Sequence, residues 1–117
     1  MSVQLRQHKR FIVCWPALMA SLDNTFSSTA FIYNFSESGV YLKTNKELPL
    51  DVINYNLFIQ NLNFGVYNKT QVQLKRLESI KNYGFEFKLN KSSSKFKTLL
   101  KWQVKYHNTS PLSQANP

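Results

Sequence analysis

Thr29-Ala30-Phe31-Ile32-Tyr33-Asn34-Phe35 runs into Ser36-Glu37-Ser38-Gly39, and Val40-Tyr41-Leu42-Lys43 follows. An aromatic and β-branched run, a Ser- and Gly-containing interruption and a second such run read as a strand, a reversal and a returning strand. Alternation puts Phe31, Tyr33 and Phe35 on one face of the first strand and Ile32, Asn34 and Ser36 on the other.

The flanking sequence repeats this pattern. Upstream, Phe11-Ile12-Val13-Cys14-Trp15 reads as a buried strand that ends at Pro16, with Cys14 an inert buried thiol. A secretory leader is the weaker reading of the same region, because Trp15 and Pro16 interrupt the apolar run and Leu18 stands where a small residue is expected. Downstream, Leu48-Pro49-Leu50-Asp51 breaks the chain. Tyr55–Gln60 is the next strand, Asn61–Lys69 a hairpin connection or loop, and Thr70–Leu77 a further strand with Val72 and Leu74 on one side. Lys81-Asn82-Tyr83-Gly84 supplies turn chemistry, after which Tyr83, Phe85, Phe87 and Leu89 alternate with Gly84, Glu86 and Lys88. Ser92-Ser93-Ser94 offers helix caps, and Phe96, Leu99, Leu100, Val104 and His107 then recur at helical spacing, with Lys97, Lys101 and Lys105 on a separate stripe. The expectation is a mainly β fold: a small antiparallel β-barrel of the split-barrel type with a C-terminal amphipathic α-helix. Its segments are an arm (residues 1–10), the barrel and helix (11–107) and a loose tail (108–117).

Composition narrows the class. A chain of 117 residues fits one domain, and 43% hydrophobic content with 9 Phe, 6 Tyr and 2 Trp argues against disorder. No run approaches the length of a membrane-spanning helix. One cysteine allows no internal disulfide, and a reducing, cytoplasmic setting is the simpler reading. His8 and His107 have no Cys or carboxylate nearby at metal-ligand spacing. The six carboxylates are scattered, and three glycines make no phosphate loop. No catalytic constellation is present, so a binding module rather than an enzyme is expected, with no cofactor. The formal net charge of +9 points to an anionic partner. Only three of the fifteen basic side chains are arginines: Arg6, Arg10 and Arg76. Arginine forms planar, two-pronged hydrogen bonds to phosphates and base edges where lysine offers a point charge, so the positions of the arginines carry the information. Arg76 is expected to be exposed on a strand, with a reach to the site edge as the weaker reading, and is left out of the site.

Two patterns remain. Arg6-Gln7-His8-Lys9-Arg10 carries two arginines four apart just before the first strand, and Asn34-Phe35-Ser36-Glu37-Ser38-Gly39 stands at a strand end. Together they resemble the RxxxR and [DN]xSxxG motifs of the PilZ domain, the bacterial receptor module for cyclic di-GMP. Arg10-Phe11-Ile12-Val13 resembles the family's arginine leading into its first strand. Gly39–Thr44 is similar to the strand after its Ser/Gly turn, Leu48-Pro49 to its next turn, and Tyr83–Phe87 to its late strand. The similarity spans about residues 5–105, with Asp51 standing where the family usually carries glycine.

The resemblance implies a ligand site of Arg6, Arg10, Asn34, Ser36 and Gly39. The two arginines would take phosphate or guanine O6 and N7, Asn34 a guanine edge, and Ser36 a phosphate. Gly39 would remove a Cβ where the turn passes the ligand or adopts positive φ. It also implies an arm that closes over the barrel on binding and an unidentified protein partner that reads the new surface. Two rivals stay open. One is a small basic barrel that binds nucleic acid through its C-terminal lysines and exposed aromatics. The other is an interaction module of the same fold that binds no nucleotide.

Overall fold

The computed structural model describes residues 9–61 and 66–108. Residues 1–8 of the arm, Arg6 and His8 among them, and nearly all of the tail lie outside the described residues. Six strands are present: β1 (Phe11–Ser21), β2 (Ser27–Phe35), β3 (Gly39–Thr44), β4 (Asn54–Asn61), β5 (Val66–Ser79) and β6 (Asn82–Phe87). They close antiparallel into a barrel in the order β1-β2-β3-β6-β5-β4. A short 3-10 turn (Leu89–Lys91) leads into helix α1 (Ser94–Asn108). This is the small barrel with a C-terminal helix that the strand spacing and the helical period predict.

The core follows from alternation. Val40 and Leu42 on β3, Leu57 and Ile59 on β4, and Phe85 and Phe87 on β6 all point into the barrel and are buried. Tyr55 is fully buried, and burial pushes its phenol up to about 12. α1 docks through Phe96, Val104 and His107, which are buried, and through the half-buried Leu99 and Leu100. Ser93 is the cap, its Oγ accepting from the Phe96 N–H at 3.1 Å. Lys97, Lys101 and Lys105 are exposed.

Four expectations need correction. First, β1 does not end at Pro16 but runs to Ser21. Its pairing with β4 begins only at Ala17, so Pro16 sits where that edge of β1 is open and a missing N–H costs no ladder bond. Second, Cys14 is exposed, not buried: β1 keeps its alternation, with Phe11, Ala17 and Met19 inward and Ile12, Cys14, Pro16 and Leu18 exposed.

Third, Phe35 does not share a face with Phe31. Ile32 pairs with Leu42 and Phe35 with Val40, so β2 carries one more residue than β3 over that interval. This bulge at Tyr33 and Asn34 reverses the inward parity, and both Ile32 and Phe35 become fully buried while Phe31 is 43% exposed. Fourth, the stretch read as a loop over Asn61–Lys69 is strand from Val66 onward. Among described non-glycine residues only Asn24 and Lys81 take positive φ, so Asp51 turns the chain without the left-handed backbone that glycine would serve.

Candidate ligand site on the outer wall

The bulge decides what surrounds Asn34. It stands opposite Ile12 on β1 and Tyr41 on β3. Tyr41 in turn stands opposite Gly84 on β6, and Gly84 opposite Arg76 on β5. A single row, Ile12–Asn34–Tyr41–Gly84–Arg76, therefore crosses five strands of the wall.

Gly84 is the low point of that row. A Cβ there would lie 3.1 Å from Tyr41 Cε1 and 3.5 Å from the Arg76 Cβ, so its absence leaves room for the Tyr41 ring to lie across β6. Arg10, at the root of the arm, reaches over β3 onto the same ring. Its guanidinium carbon lies 4.2 Å from the ring centroid and its Nη2 donates to the Tyr41 hydroxyl at 2.6 Å. That is a cation–π contact closed by a hydrogen bond.

Asn34 has a buried Oδ1 with no hydrogen-bond partner among the described residues. An unmet acceptor of this kind costs about 1–3 kcal/mol, so it marks a place where a donor from outside the chain is worth most. Ser36 is buried and turned locally: its Oγ lies 3.0 Å from Ser38 Oγ and accepts from the Ser38 N–H at 3.2 Å. The reversal itself is held by the Ser36 N–H donating to the Gly39 carbonyl at 2.9 Å.

Of the two duties expected of Gly39, the positive φ is absent, and the fold adds another: a Cβ would lie 2.0 Å from the Phe85 carbonyl oxygen. Glycine is required there by the close approach of β3 to β6. The structure thus places Arg10 and Asn34 on neighbouring sides of Tyr41, with Ser36 and Gly39 at the end of the same hairpin. Arg6 lies outside the described residues.

Sequence reasoning missed Tyr41, which reads as an ordinary strand residue. Arg76 is exposed on β5 as expected, although unbroken alternation with Thr70, Val72 and Leu74 would turn it inward. A bulge between Leu74 and Arg76 turns the arginine out onto the wall opposite Gly84. There Arg76 also donates to the Tyr41 hydroxyl, and its Nε lies 3.2 Å from Glu78 Oε1. No local signal announces this, since it depends on pairings between strands far apart in sequence.

No family model matches the chain, and no curated protein matches it by sequence. Solved structures do match its fold. The Bacillus subtilis inhibitor of motility MotI/DgrA superposes with a TM-score of 0.66 at 16% identity, over 94% of this chain. The chain spans about half of that structure's length, 52%. The PilZ domain of Escherichia coli YcgR, solved with cyclic di-GMP, gives 0.62 at 12% identity, covering 90% of this chain and 92% of that one. The PilZ domain of CeSA from a cellulose-synthesizing bacterium gives 0.61 at 13% identity, covering 83% and 94%. This chain's closed six-stranded barrel and C-terminal helix superpose on these domains: the protein has the fold of a PilZ domain.

Proposed function

We propose that this chain is a non-enzymatic receptor for cyclic di-GMP, acting in the bacterial cytoplasm. The observation that carries the reading is the position of Arg10, delivered by the start of β1 to the wall that also carries Asn34, whose Oδ1 has no partner among the described residues. Cyclic di-GMP offers two phosphodiesters and two guanines. A guanidinium meets either with paired hydrogen bonds, and the guanine N1–H and N2–H₂ edge supplies the donors that Asn34 Oδ1 lacks. Arg6, one RxxxR spacing upstream, is the second arginine of the clamp, and Ser36 is released from Ser38 to donate to phosphate. Binding orders the arm (residues 1–10) against the barrel, and a protein partner reads the surface so formed. Among the described residues no helix is long and apolar enough to cross a membrane.

Titration calorimetry with cyclic di-GMP at moderate salt tests this. Saturable heat at one site per chain is the expected result. Absence of heat, together with no displacement of a fluorescent cyclic di-GMP analogue, sinks the reading.

A further inference from the structure

Arg10 and Arg76 arrive from strand ends far apart in the chain and converge on one phenol. A hydroxyl oxygen has two lone pairs, so the Tyr41 oxygen accepts from both guanidiniums. Both also sit on the ring, with guanidinium carbons 4.2 and 5.3 Å from its centroid. Like charges held this close repel, and Glu78 offsets part of that repulsion through its ion pair with Arg76. Tyr33 borders the same patch, its ring centroid 6.4 Å from that of Tyr41. Burial, then the nearby Glu78 charge, raises the Tyr33 phenol, so it stays protonated and able to donate.

The arrangement has the attributes of an anion site. Arg76 is carried on a strand of a closed barrel, so little ordering is lost when it binds. The bulge aims it outward, and Gly84 clears the floor between it and Tyr41. Its counter-charge among the described residues is a half-exposed carboxylate, which an anionic ligand can displace at small cost because exposed ion pairs are weak.

We propose that Arg76 is a third ligand arginine, that Tyr41 is the positioning residue holding Arg10 and Arg76 on one wall, and that Glu78 is a built-in competitor occupying Arg76 until a phosphodiester replaces it. The proposal rests on the cyclic di-GMP reading and deepens it. Arg10 would hold one side of the cyclic dinucleotide, and the rigid β5–β6 wall would hold the other.

The test is titration calorimetry with cyclic di-GMP on the wild type, Arg10→Ala, Arg76→Gln, Glu78→Gln and the Arg76→Gln/Glu78→Gln double variant, each with its melting temperature. Arg76→Gln is expected to weaken binding roughly 10–150-fold, the worth of a charge-assisted hydrogen bond, and to flatten the salt dependence. Glu78→Gln is expected to tighten binding roughly 1.5–5-fold, the worth of an exposed ion pair, and the gain should vanish in the double variant because Glu78 acts through Arg76. Equal losses in Arg76→Gln and Glu78→Gln would mark the pair as structural and overturn the proposal. Unchanged affinity in Arg76→Gln beside a loss in Arg10→Ala would overturn it while leaving the cyclic di-GMP reading intact. A wild type that binds no cyclic di-GMP would overturn both.

Discussion

The guanidinium of Arg10 lies 4.2 Å above the ring of Tyr41 and donates to its hydroxyl at 2.6 Å, across 31 residues of chain. This contact ties the root of the arm to β3, and so ties whatever the arm does to the hairpin that carries Asn34 and Ser36. The floor beneath it is Gly84. Adding a Cβ there, in Gly84→Ala, pushes the Tyr41 ring by a few tenths of an ångström. Ligand affinity should fall while the melting temperature hardly moves. A variant that melts early with affinity intact would show that Gly84 serves the barrel and not the wall.

Gly39→Ala should behave in the opposite way. The new Cβ meets a backbone oxygen at 2.0 Å, which no side-chain rotation relieves, so β3 must part from β6. A loss of about 3 kcal/mol in stability is expected, at the upper end of what overpacking costs. Denaturant unfolding of the variant measures it, and a midpoint equal to wild type would refute the close approach.

The parity reversal in β2 separates two phenylalanines that simple alternation puts together. Phe35→Ala empties a fully buried site packed by Phe11 and Trp15, with ring centroids at 5.3 and 4.8 Å, and should cost about 3–5 kcal/mol. Phe31→Ala, at a position 43% exposed, should cost about 1 kcal/mol or less. Similar losses in the two variants would contradict the bulge.

Cys14 is exposed on β1. A thiol reagent should therefore label the folded chain at one equivalent without denaturant. Labelling that appears only after unfolding would turn β1 over.

His107 makes stability depend on pH. Burial against Phe11, Trp15 and Phe35 lowers its pKa below the ordinary 6.5, and its Nδ1 has no partner among the described residues. The native state therefore resists a proton that the unfolded chain accepts. Stability from this group is complete above the ordinary value and declines as pH falls through and below it. The melting temperature should drop between about pH 7 and pH 5, and His107→Phe should lessen the drop. An identical pH profile in that variant would assign the effect elsewhere.

What was legible in the sequence was whatever depends on short-range pattern. Tyr83, Phe85 and Phe87 alternate without interruption and are buried as the period requires, and α1 follows its cap and its apolar stripe. What escaped depends on pairing between strands. Simple alternation puts Phe35 on the wrong face because one extra residue opposite β3 resets the parity. The apolarity of its neighbours suggests a buried Cys14, although its even place in β1 puts it outside. The meeting of Arg76 with Tyr41 is not legible because a bulge in β5 and a glycine in β6 bring them together, and that pairing joins strands far apart in sequence.

The most direct test of the central claim compares Arg10→Ala with wild type in a calorimetric titration with cyclic di-GMP at matched salt. The account predicts saturable binding by the wild type and a loss of roughly 10–150-fold in the variant, with an unchanged fold. Equal affinities, or binding that follows Lys101 and Lys105 instead of Arg10, would contradict it.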